Sequence, residues 1–179
     1  AVAALDRLRD VQRELQSEQS GRLARDIEDA QRRAADLADE EADIADQVAG
    51  LGELTDEERV ERIGRLVERK DEMEGQVADL ERELDSTSAE FRRDERDASR
   101  ALQEAANGIR ENQLKEMIRY SRGLVRARSP EYARQFEEQI GGSIGDLERQ
   151  LADAAEAVGS SEGTGLEQAL NRTRDLMRS

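Results

Sequence analysis

Four basic side chains, Lys115, Arg119, Arg122 and Arg126, recur at spacings of 4, 3 and 4 residues, which places them along one face of a helix. A row of this kind can hold anions: a lipid headgroup surface, a nucleic acid, or the acidic flank of another protein helix. Between Arg110 and Arg134 there are seven basic residues and three acidic ones, inside a chain of net charge -15. That overall charge repels phosphate polymers, so nucleic acid is set aside as a partner. The expected use of the row is pairing with neighbouring helices, for instance with Glu137, Glu138 and Asp146, because flanking charges set how helices pair. One residue before each of the four run Leu114, Ile118, Ser121 and Val125, which makes the helix amphipathic. Tyr120, Tyr132 and Phe136 share this stretch. They are expected to fill a helical corner rather than to stack bases, which would need aromatics interleaved with a basic surface.

Other candidates for chemistry read more plainly. The acidic run Asp36, Asp39, Glu40, Glu41 and Asp43 lacks the glycine-turned loop of oxygen ligands that a calcium hand uses, and is expected to be a solvated face. Histidine, cysteine and tryptophan are absent, which removes imidazole bases, thiol nucleophiles, disulfide frameworks, the usual zinc sites and Glu-x-x-His di-iron motifs. Lys70 falls in an apolar seam and is expected to act as a register device that snorkels outward. Gly141, Gly142 and Gly145 have neither a preceding strand nor a following Gly-Lys-Ser/Thr, so they form no phosphate loop. No catalytic, metal or cofactor-binding residue is assigned, no cofactor is expected, and the chain reads as a non-enzyme.

The elements that carry these residues follow from periodicity. Leu, Ile, Val and Phe make up just under a fifth of the 179 residues, on the edge of the disordered class, yet Ala, Glu, Lys, Leu and Arg exceed half, as in long coiled-coil helices. Leu5, Leu8, Val11 and Leu15 open a helical pattern that lapses over residues 16–22. A heptad seam then runs through Leu23, Ile27, Ala30, Ala34, Leu37, Glu41, Ile44, Val48 and Leu51. Gly50 and Gly52 end it, and Thr55 with Glu58 forms a capping-box pattern that starts the next helix as an antiparallel hairpin partner. The second seam is Ile63, Leu66, Lys70, Met73, Val77, Leu80 and Leu84, and the same register continues through Thr87, Phe91, Asp94, Ala98, Ala101 and Ala105. Asp85, Ser86, Thr87 and Ser88 could mark a break, since Thr87 and Glu90 also fit a capping box. Without glycine or proline to interrupt the register, however, one helix, weak near 86, is expected from about 55 to 128, on the order of 110 Å long, with a drift in register at 107–113 and a change of partner helix there.

Ser129 and Pro130 supply an N-cap and a first helical position, so the chain is expected to fold back at this point. The return seam reads Tyr132, Phe136, Ile140, Ile144, Leu147, Leu151, Ala154 and Val158, with a kink or a close backbone approach at the three glycines. Residues 160–163 read as a flexible linker before a short last helix. The expected fold is therefore all-α: an elongated antiparallel coiled-coil hairpin or helical bundle with a very long central helix and a fold-back at Ser129-Pro130. It divides into a helical domain at 1–159 and a linker with a short helix at 160–179.

Over residues 107–151, and most specifically in NQLKEMIRYSRGLVRARSPEYARQFEEQIGGSIGDLERQL, the chain resembles large bacterial membrane-anchored proteins of a family without assigned function. The resemblance implies a helical, soluble part of an envelope-associated protein whose anchor lies outside this chain, and it supplies no catalytic residues. Arginine outnumbers lysine 26 to 2, in keeping with the codon usage of a GC-rich bacterial genome. No apolar run approaches the roughly 20 residues that span a bilayer. Together these readings lead to a structural or scaffolding protein that works by pairing with other protein helices, self-association and larger assembly included. The alternative is a peripheral lipid-binding or membrane-remodelling module that uses the basic arm at 114–128.

Overall fold

A computed structural model of the chain describes the backbone of residues 2–127 and 129–178, and the side chains of residues 7, 8, 10–127, 129 and 131–158. The described residues form helices joined by short turns, with no strand. Helix α1 spans Val2–Ala49, α2 Asp56–Phe91, α3 Arg96–Glu111, α4 Leu114–Arg126 and α5 Pro130–Arg178, with a short 3-10 turn at Gly50–Glu53. They form a four-stem antiparallel bundle in which α3 and α4, in tandem, make the third stem.

Cross-links between stems establish the directions. Arg22 meets Glu90, Arg33 meets Glu83, and Arg69 meets Glu40, so α2 runs back along α1. Ser88 meets Ser99 and Glu74 meets Arg119, so α3 and α4 run back along α2. Gly108 lies against Gln150 and Ser121 against Glu137, so α5 returns along both.

The core is a column of seam residues. On α1, Leu23, Ile27, Ala30, Ala34, Leu37, Glu41, Ile44, Val48 and Leu51 are all buried, the heptad that the sequence spells. The polar stretch 16–22 does not interrupt α1. Ser20 enters the core, where its hydroxyl donates to Glu95 Oε1 at 2.5 Å, so a polar layer stands where an apolar one is missing. The turn after Ala49 leads into Thr55, whose Oγ1 accepts from the Glu58 amide at 3.4 Å while the Thr55 amide donates to Glu58 Oε2 at 3.1 Å. That capping box satisfies two free amides at the start of α2.

The single helix expected over 55–128 is broken twice. α2 stops at Phe91, where the amides of Asp94 and Glu95 both close onto its carbonyl, at 3.2 and 2.9 Å. The break needs neither glycine nor proline, because the reversal itself is stabilised. Ser88 and Ser99 exchange side-chain to backbone hydrogen bonds of 2.9 and 2.6 Å across it, Phe91 is buried beneath it, and Arg22 lies over the Phe91 ring at 5.1 Å. Folding back buries Ala98, Leu102, Ala105 and Ile109 of α3 in the column, which a straight helix would leave without neighbours. The second break is two residues wide, Asn112 and Gln113. Gln113 takes the left-handed conformation (φ 51°, ψ 39°), and beyond it α4 keeps the partners of α3, namely α2 and α5. The expected change of partner does not occur.

α4 buries Leu114, Ile118, Ser121 and Val125, the stripe read from sequence, and the chain then folds back at Ser129-Pro130 as expected. The expected end of the arm at Arg128 lies outside the described residues. On α5 the first turns rotate by one position: Ala133 and Glu137 are buried in place of Tyr132 and Phe136, and from Ile140 to Val158 the expected seam holds. α5 is continuous helix through Gly141, Gly142 and Gly145 and through residues 160–163, where a linker was expected. Glycine lowers helix propensity by about 1 kcal/mol relative to alanine but keeps its amide donor, and no proline forbids the ladder. The close approach falls at Gly108, where a Cβ would meet Gln150 Oε1 at 2.6 Å.

Candidate functional site

The four stems each send one polar side chain to a single level of the core: Glu41 from α1, Lys70 from α2, Ser121 from α4 and Glu137 from α5. All four are buried, Lys70 and Ser121 completely. Lys70 Nζ donates to Glu137 Oε2 at 2.5 Å and Ser121 Oγ donates to Glu137 Oε1 at 2.5 Å, so both oxygens of this carboxylate are held. Neither oxygen of Glu41 has a hydrogen-bond partner in the structure. Its Cγ lies beside Gly141, where a Cβ would come to 4.0 Å.

One ammonium serves two carboxyl groups, and the electrostatics follow from that count. Burial, first of all, pushes the Glu41 carboxyl up to about 9, and the neighbouring Glu137 carboxylate pushes the same way while Lys70 opposes both. Glu41 is therefore neutral at pH 7, and as an acid it gains an O–H donor with Glu137 beside it as acceptor. The layer then holds one positive and one negative charge in an apolar column, and its net charge is zero. This is an arrangement for holding helices in register. Breaking one partner of such a buried pair leaves an uncompensated charge, so sliding one stem past another is penalised heavily.

Lys70 occupies its seam position, but it does not snorkel: its ammonium ends inside the bundle on Glu137. Sequence reasoning missed Glu137 by one residue, having placed Phe136 in the seam. A signal existed. Glu41 and Lys70 are charged seam residues of consecutive stems, so a hairpin at 50–54 sets them on facing seams; the α5 carboxylate needed to complete the pair lies two turns after the proline.

The basic row sits on the outer side of the third stem. Lys115 Nζ reaches Glu81 Oε2 at 2.6 Å, with Arg110 Nε on the other oxygen at 2.8 Å. Arg119 Nε donates to Glu74 Oε1 at 3.1 Å, and Arg122 pairs with Asp71. The partners belong to α2, which corrects the expectation that Glu137, Glu138 and Asp146 of the return arm would supply them. Arg126 is exposed and has no ion pair among the described residues.

The aromatics do not fill the corner. Tyr120 and Tyr132 are exposed and Phe136 is half-buried, with the Tyr120 and Phe136 rings 4.9 Å apart and tilted by 48°. Ala133 takes the core position instead. The acidic run also divides. Asp36, Asp39 and Asp43 face solvent and Glu41 is buried. Glu40 and Asp43 grip Arg69 at 2.6 and 2.7 Å, and hydrogen bonds from Arg69 and then Gln47 hold the Asp43 carboxyl below its usual range. Among the described residues no group of three or more metal-ligating side chains comes together, and no helix is long and apolar enough to cross a membrane. No family model matches the chain, and no curated protein or solved structure matches it either.

Proposed function

We propose that this chain is a non-enzymatic helical scaffold that acts through helix-to-helix protein contacts, in the bacterial envelope setting that the resemblance of its corner implies. The observation that carries the reading is how the charged groups are used. Arg33, Arg69, Arg110, Lys115, Arg119 and Arg122 each bind an acidic residue of a neighbouring stem, and the buried layer locks those stems in register. A bundle that invests its polar groups in its own alignment presents surfaces at fixed positions, which is what a spacer or assembly subunit requires. Exposed apolar side chains on α1 add a surface to which another helix can bind.

The lipid-binding reading draws on the exposed Arg126, Tyr120 and Tyr132 beside the basic row. Arg119 and Arg122, which it needs free, have carboxylates of α2 as partners. Flotation on vesicles containing anionic lipid separates the two. The expected result is that the protein stays unbound; salt-sensitive flotation lost in Arg119→Glu/Arg122→Glu/Arg126→Glu, with helicity retained, would transfer the assignment to a peripheral membrane module.

A further inference from the structure

Beyond Ser20 the apolar pattern of α1 leaves the seam. Counting back from Leu23 and Ser20 in heptad steps, the core face continues through Gln16, Arg13 and Arg9, whereas the apolar residues are Leu15, Val11 and Leu8. A shift of one residue turns a side chain by about 100° around the helix. Leu8, Val11 and Leu15 accordingly lie exposed in the structure, while every seam residue of α1 from Leu23 onward is buried. An open groove runs along α1 past Leu15, Glu18, Arg22 and Arg25. The stripe belongs to a face that the rest of the bundle does not cover.

The flanking charges are self-complementary. Arg7, Glu14 and Glu18 lie on one flank of the stripe, all exposed and without an ion pair among the described residues. Arg13, by contrast, faces away and pairs with Asp10 of its own helix. In an antiparallel pairing of two such helices about a two-fold between positions 11 and 12, Leu8 stands opposite Leu15 of the other copy and Val11 faces its own counterpart. Arg7 then falls between Glu14 and Glu18 of the other copy, because a two-fold axis places the same flank of both helices together. The segment is also almost neutral: residues 1–20 carry four acidic and three basic side chains in a chain of net charge -15, so its own net charge adds little repulsion between two copies.

We infer that residues 7–18 of α1 form a self-association surface, whose occupant is the same segment of a second copy packed antiparallel across a two-fold at Val11–Gln12. The inference rests on the scaffold reading and names its partner. The protein has no cysteine, which makes the test direct. Val11→Cys and Val60→Cys introduce single thiols at positions of matched exposure, 52% and 54% in the native residues, in the full chain under mild oxidation without lipid. The expected result is that Val11→Cys forms a disulfide-linked dimer at least tenfold faster than Val60→Cys. Adding Arg7→Glu slows it, adding Glu14→Arg/Glu18→Arg to that restores it, and the untagged parent shows twice its 20.1 kDa mass by light scattering at high concentration. Equal rates for the two thiols, or a Val11→Cys rate indifferent to Arg7→Glu, overturn the two-fold pairing. That failure leaves the scaffold reading standing, since vesicle flotation and not thiol coupling decides against the latter.

Discussion

Two sets of charges lie one helix turn apart in this molecule and have opposite consequences. At the buried layer, Lys70 and Glu137 are removed from water and have only each other, Ser121 and the neutral Glu41. On the outside of the third stem, Arg119 and Arg122 reach Glu74 and Asp71 with solvent at hand. The inner pair is a constraint: any register that separates it strands a charge in an apolar column. The outer pairs are a preference, screened by salt and exchangeable with water. The sequence contains both as charged residues at helical spacing, and burial alone assigns them different work.

The largest effect is expected at Lys70. Lys70→Met leaves Glu137 unpaired in the core and should lower the stability at pH 7 by about 3–5 kcal/mol in urea unfolding. Replacing the whole layer, as Glu41→Leu/Lys70→Met/Glu137→Leu, should bring the stability back to or above that of the parent, since desolvation is then no longer opposed by an incomplete pair. A triple variant as unstable as the single one would mean that the layer stabilises outright, and the comparison would break.

Next in size is a dependence on pH. The folded-state pKa of Glu41 is raised to about 9 from an unfolded value of 4.5, so between these values the native state binds a proton that the unfolded state has lost. Its contribution is fully present below pH 4.5 and is lost as the pH rises towards 9. The stability of the parent relative to Glu41→Gln should therefore fall as the pH rises across this window and level off above it. A flat difference would place Glu41 in contact with solvent.

Smaller effects belong to the surface. Phe136→Ala removes the ring that Tyr120 packs against and should lower the melting temperature modestly, corresponding to about 0.5–1.5 kcal/mol. An unchanged melt would count against the fold-back contact between α4 and α5. Arg122→Ala should cost only about 0–1 kcal/mol, and added salt should erase the difference; a loss as large as that of Lys70→Met would abolish the distinction between inner and outer pairs.

Much of this was legible in the sequence. The α1 heptad, the capping box at Thr55 and Glu58, the stripe of α4 and the fold-back at Ser129-Pro130 all follow from spacing and local chemistry, because each depends on neighbours within a few residues. The break after Phe91 was not legible. No residue there forbids a helix, and the turn exists because Ser88, Ser99, Ser20 and Glu95 find one another across 75 residues of chain. Glu137 was hidden for the same reason: alternation of apolar residues favours Phe136 in the seam, and only the presence of Lys70 on another stem makes a carboxylate the better occupant. Tertiary partners outrank local pattern at both places.

The neutral layer is the central claim, and the titration of Glu41 tests it most directly. Carbon-13 NMR of glutamate side-chain carboxyls, with the Glu41 signal identified by its loss in Glu41→Gln, should show one resonance that keeps its protonated shift through neutral pH and titrates near 9. A Glu41 resonance that titrates near 4.5 with the exposed glutamates would contradict the account, for the layer would then carry a second buried negative charge and could not be a neutral lock.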